Sequence, residues 1–218
     1  MAFSDKFKQW QFSKTRLEAF SDAVFAIVIT LLVLEIKIPE IEHPENVEEV
    51  LHALKGVSHI FFSWMISFFF VALIWLHHHQ IMHMATKSDY GVVWINTILL
   101  FFVTLIPFPT HMMGSYPSQA IMVAIWGATV GLTSLVLTWF YYYNTKNYLK
   151  SSFEKESVRK NVRLSLFAGP LLYLVAASLS FINVNIAYVI YALVPLLYIL
   201  PLDKEMLPGA GNNSAETE

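Results

Sequence analysis

The stretch Arg16–Lys37, with the sequence RLEAFSDAVFAIVITLLVLEIK, determines how the rest of the chain is interpreted. From Ala23 to Leu34 it is apolar except for Thr30. At about 1.5 Å per residue, the stretch is long enough to cross a hydrocarbon core of about 30 Å. It therefore predicts a membrane-spanning helix.

Polar side chains occupy the first two turns of this predicted helix, at Glu18, Ser21 and Asp22. A helix surrounded only by lipid would avoid them, because an ionisable group near the bilayer centre costs about 2.5–3.5 kcal/mol or more. Part of the helix surface is therefore expected to face protein or water. At about 100° per residue, the aliphatic side chains form a separate stripe. The aliphatic stripe consists of Phe20, Ala23, Ile27, Leu31, Leu34 and Ile38, with Thr30 at its edge.

The composition of the whole chain agrees with a membrane protein. Of 218 residues, 56% are hydrophobic and only 14% are charged, whereas soluble domains average about 25% charged residues. The net charge of −2 provides no basic surface for nucleic acid. The absence of cysteine excludes disulfides and thiolate metal sites. The N-terminus lacks the apolar core and cleavage site of a signal peptide, so the first helix is expected to remain in the mature protein.

The hydrophobic pattern predicts an all-α, polytopic membrane protein with six transmembrane helices. The predicted helices are Arg16–Lys37, Val57–Gln80, Tyr90–Ile106, Ser118–Tyr143, Leu164–Ile182 and Asn185–Leu202. An acidic loop, Ile38–Ala53, is expected after the first helix, and Pro107 and Pro109 are expected to stop the third. Gly127 and Gly131 have the G-x-x-x-G spacing that lets another helix approach closely.

Three regions follow from this pattern: a cytoplasmic interfacial segment (1–15), a six-helix transmembrane domain (16–202) and a disordered tail (203–218). Lysine and arginine set the orientation, because they concentrate on the cytoplasmic side. With the N-terminus inside, only Lys37 and Lys55 of the 14 Lys and Arg residues lie outside, which leaves 12 inside. Both termini are therefore predicted to be cytoplasmic.

Arg16, Phe20, Ser21 and Asp22 form the pattern R-x-x-x-F-S-D at the start of the first helix. The pattern W-x-H-H follows at 75–78, and 96–110 contains N-T-I-L-L and P-F-P-T. Together these patterns resemble the transmembrane protein 175 family, the endosomal and lysosomal potassium channels and their bacterial relatives, over nearly the whole chain. The resemblance implies a multi-pass channel of the bacterial plasma membrane. Such a channel conducts potassium and other monovalent cations passively, needs no cofactor and is not an enzyme.

The resemblance also implies that the first helix lines the pore of a homotetramer, with Ile27, Thr30, Leu31 and Leu34 at the pore-lining positions. A narrow apolar ring of this kind gates by excluding water. Thr30 carries the only hydroxyl among the four residues and is the candidate for contact with a partly dehydrated ion. The residues alone leave open the alternative that the stripe packs inside a monomeric bundle. The T-V-G-Y-G filter is absent, so potassium preference cannot depend on that ring of carbonyls.

Asp22 lies about 140° from the middle of the stripe and is predicted to point into the protomer. Its candidate hydrogen-bond partners are Trp75, His77, His78 and Asn96, and the resemblance implies a packing network of these residues with the signature motif. Direct ion binding by Asp22 is the alternative. His79 and His83 have the i, i+4 spacing that a metal site can use, but no carboxylate-rich motif accompanies them. No metal site is predicted.

A secondary cation or proton-coupled transporter is the alternative function, and a membrane enzyme with bound metal or haem is the third. Transporters commonly contain inverted repeats and helices broken at mid-membrane. The first helix contains neither glycine nor proline from Leu17 to Lys37. The sequence therefore favours a passive channel.

Overall fold

A computed structural model of the chain describes residues 13–37, 39–150 and 168–199. The predicted C-terminal tail and most of the N-terminal interfacial segment lie outside these ranges. The helices, numbered here in chain order, are α1 (Lys14–Leu32), α2 (Val47–Gly56), α3 (Ser58–Met84), α4 (Tyr90–Leu105), α5 (Pro107–Ser115), α6 (Ala120–Tyr148), α7 (Ala168–Leu179) and α8 (Val184–Ile199). The described ranges contain no β-strand, only an isolated bridge between Ala85 and Leu149.

Four helical segments are long and apolar enough to cross a membrane: Lys14–Glu35, Ser58–Met84, Tyr90–Ser115 and Ala120–Tyr148. The shorter apolar helices α7 and α8 follow them. The chain is therefore an all-α, polytopic membrane protein, as predicted. The first span begins at Lys14, where Ser13 caps the helix by accepting a hydrogen bond from the Arg16 N–H at 3.4 Å. It continues beyond Leu32 as a 3₁₀ turn, Val33–Glu35.

The predicted stop at Pro107 is right for α4 but wrong for the span. Helix α4 ends at Leu105, and Pro107 then begins α5, which runs to Ser115. Proline is tolerated at the first position of a helix because its missing N–H would have no intrahelical partner there. The two prolines therefore divide the third span into two helical segments without ending it.

A buried polar cluster lies next to this break. The hydroxyls of Ser67 and Thr110 are 2.7 Å apart, and Thr110 also donates to the Ile106 carbonyl at 2.7 Å. The indole N–H of Trp126 donates to the Ser67 hydroxyl at 2.9 Å. These contacts join α3, α5 and α6 and satisfy polar groups that would be costly to bury alone.

The prediction of an acidic loop across 38–53 is wrong from Val47 onward, where α2 begins. The side chain of Asn46 caps α2 by accepting a hydrogen bond from the Glu48 N–H at 3.0 Å. Acidic Glu48 and Glu49 occupy the first turn and Lys55 the last. This distribution of charge favours a helix because it complements the helix dipole.

The close helix approach predicted from G-x-x-x-G is confirmed in α6. A Cβ atom at Gly127 would lie 2.9 Å from the Ala177 Cβ and would overlap the Tyr191 side chain. At Gly131 it would lie 2.8 Å from the Leu174 Cδ2. The two glycines therefore allow α7 and α8 to pack directly on α6.

Candidate functional site

Helix α1 has one face buried in the protomer and one face exposed. The buried face carries Ser21, Phe25, Val28 and Leu32, each at most 2% exposed. The residues of the opposite face, the aliphatic stripe, are much more accessible: Phe20 59%, Ile27 57%, Leu31 45% and Leu34 65%. Ala23 is exposed as well, and Ile38 lies outside the described residues. Within one protomer, the stripe is therefore not part of the core.

Thr30 is exposed with the stripe and hydrogen bonds only along its own helix. Its hydroxyl lies 3.0 Å from the Ala26 carbonyl and 2.9 Å from the Ile27 carbonyl, and it donates to them. A hydroxyl that donates its single proton keeps two lone pairs. The Thr30 oxygen therefore keeps the capacity to accept, with which it could contact a cation.

The buried face of α1 is joined to two other helices by a polar network. The Asn96 amide N–H donates to the Ser21 hydroxyl at 2.9 Å, and the Nε2–H of His78 donates to the Asn96 amide oxygen at 2.8 Å. Ser21 in turn donates to the Leu17 carbonyl at 2.9 Å. All three side chains of the network are buried. The network links α1, α4 and α3 at one depth.

Aromatic rings hold His78 on both sides. Its ring is nearly parallel to that of Phe140, with centroids 5.3 Å apart, and lies 5.6 Å from the ring of Phe25. Neither Phe25 nor Phe140 is predicted from the sequence as a site residue. Both belong to ordinary apolar runs, so periodicity offers no signal that separates them from the rest of the core.

Asp22 has one of its predicted partners. The indole N–H of Trp75 donates to the Asp22 Oδ1 at 2.8 Å. The prediction that His78 or Asn96 would also bind Asp22 is not met, because their hydrogen bonds go to each other and to Ser21. Asp22 is exposed on the protomer surface, which differs from the predicted inward position. The reason is geometric, because Asp22 lies at the flank of α1 between its buried and exposed faces.

The other signature residues are on the periphery of this arrangement. Arg16 and Phe20 are exposed in the protomer. The Nδ1 of His77 lies 2.8 Å from the Leu73 carbonyl of its own helix. Lys14 forms an ion pair with Glu18 at 3.5 Å.

A contact that the sequence does not predict lies at the far end of the first span. The Nδ1 of His111 on α5 is 2.8 Å from the Glu35 Oε2, at the end of the 3₁₀ turn. The end of the first span therefore lies against the second segment of the third, and the two side chains form an ion pair when His111 is protonated. An ionisable residue at the end of an otherwise apolar run was the available signal.

A second carboxylate with several partners lies at the junction of α3, α4 and α6. Asp89 caps α4 by accepting from the Val92 N–H at 2.8 Å, and its Oδ2 accepts from Tyr143 at 2.8 Å and Tyr148 at 2.7 Å. Burial raises the pKa of the Asp89 carboxyl, but the hydrogen bonds from Tyr148, Val92 and Tyr143 together lower it more, so that the pKa lies below its ordinary value. Asp89 is therefore a structural anion at neutral pH.

Other kinds of site are less well supported by the described part of the chain. Residues 13–37, 39–150 and 168–199 contain no group of three or more His, Cys, Asp or Glu residues that could hold a metal ion. A cavity lies between α3, α6, α7 and α8, with Phe70, His77, Ser134 and Tyr173 in its walls. No α1 residue lines that cavity. The predicted pore residues thus face the outside of the protomer and not this cavity.

Comparison with known proteins agrees with the motifs and with this fold. The family described as Endosomal/lysosomal potassium channel TMEM175 matches residues 16–107. A potassium channel of Chamaesiphon minutus is 33% identical over 174 residues, which cover 78% of this chain and 85% of that protein. The human endosomal/lysosomal proton channel TMEM175 is 34% identical over 112 residues, 49% of this chain but only 22% of the human protein.

A solved structure gives the same assignment. The crystal structure of a lysosomal potassium-selective channel TMEM175 homolog from Chamaesiphon minutus superposes with a TM-score of 0.75 and 28% sequence identity. The match covers 85% of this chain and 95% of that one. The family and these relatives are channels and not enzymes. This membrane protein therefore belongs to the TMEM175 family of channels.

Proposed function

We propose that the chain is a potassium-permeable cation channel that conducts passively through a constriction formed by α1 in a homotetramer. The observation that carries the proposal is the contrast between the two faces of α1. Ile27, Leu31 and Leu34 remain exposed in the protomer while Phe25 and Leu32 on the other side are buried. The names of the bacterial relatives, which are potassium channels, support the choice of ion.

Lipid alone is a poor environment for the part of the α1 surface that carries Asp22. Asp22 is exposed on α1, about 140° around the helix from the middle of the stripe, and the hydrogen bond from Trp75 occupies only one of its carboxylate oxygens. An ionised carboxylate facing hydrocarbon costs about 2.5–3.5 kcal/mol or more. Water, or another copy of the chain, removes that cost. The exposed carboxylate therefore supports contact of this part of α1 with water or with another copy of the chain, and not with lipid alone.

Four copies of α1 would leave a narrow opening. Packed helices lie about 8–10 Å apart, so four of them around an axis have diagonal partners about 11–14 Å apart. Each helix is about 10 Å in diameter with its side chains, so the opening between diagonal helices is only a few ångströms wide. Ile27, Leu31 and Leu34 fill such an opening with apolar surface, which opposes wetting and the passage of ions. Among the proposed pore-lining residues only Thr30 has a hydroxyl, and this group could replace a water molecule around potassium.

The same proposal includes the location of the protein. We place it in a bacterial plasma membrane with both termini in the cytoplasm, since 12 of 14 lysine and arginine residues then lie inside. Passive conduction of potassium, as proposed, needs no bound cofactor. A proton is the competing permeant ion, because the human relative carries the name of a proton channel. Ion substitution separates the two.

The test is flux through purified protein in liposomes, driven by a potassium gradient alone, with the neighbouring variants Leu31→Ala and Leu32→Ala. The exposed Leu31 widens the constriction when truncated, so the potassium flux is expected to rise with little loss of stability. The buried Leu32 leaves a cavity that costs about 2–5 kcal/mol, so stability and flux are expected to fall together. If Leu31→Ala lowers stability and flux like Leu32→Ala, the stripe is core and the pore assignment is wrong.

A further inference from the structure

Helix α2, between the first and second spans, has an apolar face that nothing in the described protomer covers. Val47, Leu51 and Leu54 are 71%, 55% and 47% exposed, and α2 contains no buried residue. At about 100° per residue these three side chains and Val50 lie within about 100° of one another. The other side of the helix is polar.

The polar side of α2 is oriented by contacts with its own loop. The Glu49 Oε1 accepts from the backbone N–H groups of Glu42 at 3.0 Å and His43 at 3.4 Å. Glu48, His52 and Lys55 project from neighbouring positions of the same polar side. The loop therefore contacts the polar side of the helix at Glu49, and the apolar face points away from that contact.

The position of α2 along the chain places it at the membrane surface. It ends at Gly56, and α3 begins at Ser58, so only Val57 lies between the two helices. The 27 residues of α3 extend about 40 Å at about 1.5 Å each. That length exceeds a hydrocarbon core of about 30 Å and leaves roughly 5 Å of helix in the headgroup layer at each end. An interfacial amphipathic helix lies at that depth.

A helical break between α2 and α3 allows the change of direction that this position requires. The Ser58 hydroxyl donates to the Lys55 carbonyl at 2.7 Å, and the Val57 N–H donates to the same oxygen. The Lys55 carbonyl in the last turn of α2 thus accepts from a side-chain hydroxyl and from a nearby backbone N–H. In a continuous helix it would accept from the backbone N–H four residues later.

We propose that α2 lies in the lipid headgroup layer of the leaflet at the Glu35 end of α1, with Val47, Leu51 and Leu54 inserted among the upper acyl chains. A ten-residue helix is marginal in water, so burial of this face in lipid supplies stabilisation that the protomer does not. The partner is a neutral lipid surface, because the polar side of α2 carries Glu48 and Glu49 and gains nothing from anionic headgroups.

The natural absence of cysteine makes the test direct. Leu51→Cys and Leu54→Cys are labelled with an environment-sensitive fluorophore in the full-length protein, reconstituted in phosphatidylcholine liposomes. His52→Cys, on the polar side of the same helix, is the matched control. Quenching is measured with lipids brominated in the upper acyl chain and separately with aqueous iodide. If labelled Leu51→Cys fails to reconstitute, Val47→Cys takes its place on the same face.

Brominated lipid is expected to quench the labels at 51 and 54 at least about two-fold more than the label at 52, and iodide to show the opposite order. Leu51→Glu in the Leu54→Cys protein is expected to reduce the lipid quenching. Equal quenching of the two faces by both agents would overturn the proposal. A second result would also overturn it: neither agent quenches the labels at 51 and 54, and the unlabelled Leu51→Cys protein cross-links between protomers. Helix α2 would then pack on a second copy of the chain.

Discussion

The two faces of α1 have nearly the same hydrophobicity and opposite surroundings. One face packs Phe25, Val28 and Leu32 into the protomer, and the other leaves Ile27, Leu31 and Leu34 accessible. In a membrane protein, apolar character alone does not decide which face is buried, because lipid is as apolar as the core. The hydrogen bond of the Asn96 amide with Ser21 joins the buried face to another helix. The hydroxyl of Thr30 on the exposed side donates only to carbonyls of its own helix.

The largest effect expected from this comparison is on stability. Phe25 is 1% exposed and contacts the ring of His78, whereas Phe20 is 59% exposed. Phe25→Ala is expected to lower the free energy of unfolding by about 3–5 kcal/mol, because it removes a large buried side chain. Phe20→Ala is expected to cost under about 1 kcal/mol. Thermal unfolding in detergent measures both, and equal losses would contradict the assignment of the two faces.

The polar network on the buried face predicts the next largest effect. Asn96→Ala leaves the Nε2–H of His78 without its acceptor in a site that is 1% exposed. It also removes the donor to the buried Ser21 hydroxyl, which keeps its own hydrogen bond to the Leu17 carbonyl. An unpaired buried N–H costs about 1–3 kcal/mol, and relaxation of the site reduces that loss. The neighbouring Thr97→Ala is a suitable control, because Thr97 is exposed and donates only to the Val93 carbonyl of its own helix. Unfolding of Asn96→Ala at the wild-type temperature would show that the network does not stabilise α1.

Asp89 lies outside α1 and tests whether a loss of stability alone changes conduction, because its hydrogen bonds do not involve the stripe. Asp89→Ala removes the cap of α4 and two tyrosine hydrogen bonds, at a cost of about 1–2 kcal/mol. Since folding lowers the pKa of Asp89, its contribution is fully present above the unfolded pKa of about 3.9. It is lost as the pH falls through the lower pKa of the folded state.

Acid unfolding monitored between neutral pH and about pH 3 measures this contribution. Asp89→Asn serves as the control, since asparagine also caps helices but does not titrate in this range. Its stability is expected to depend less on pH than that of the wild type. Single-channel current at neutral pH is expected to be unchanged in Asp89→Asn, and an altered current would mean that this end of the bundle also controls the pore.

Much of α1 could be predicted from the sequence, because a long apolar run and a 3.6-residue period depend only on local order. The burial of Phe25 and the exposure of Leu31 could not be predicted in this way, since both side chains satisfy the same hydrophobic criterion. The motif identified Asn96 and His78 as network members, but pairing them with Ser21 and not Asp22 required the helix positions.

The parts that the sequence analysis missed depend on contacts between distant residues or on composition that misleads. Tyr143 and Tyr148 bind Asp89 from 54 and 59 residues away. The many glutamates around α2 predict a loop there, although Asn46 and the charges at the two ends of the segment favour a helix. Pro107 predicts a stop because proline breaks a helix interior, but proline also occurs at the first position of helices.

Thr30 gives the smallest expected change in stability and the most specific test of the exposed face. Its hydroxyl hydrogen bonds within its own helix, so Thr30→Ala is expected to change the free energy of unfolding by no more than about 0.5 kcal/mol. If its oxygen replaces a water molecule around a permeating ion, Thr30→Ala leaves the ring wholly apolar. The potassium-to-sodium permeability ratio is then expected to fall by about two- to ten-fold, which corresponds to at most about 1.4 kcal/mol. Reversal potentials under bi-ionic conditions measure this ratio.

Thr30→Ser keeps the hydroxyl and is expected to keep the ratio. Thr104→Ala, which removes an exposed hydroxyl of the same kind from α4, is expected to leave it unchanged. A ratio that Thr104→Ala lowers and Thr30→Ala does not would move the selective contact away from α1.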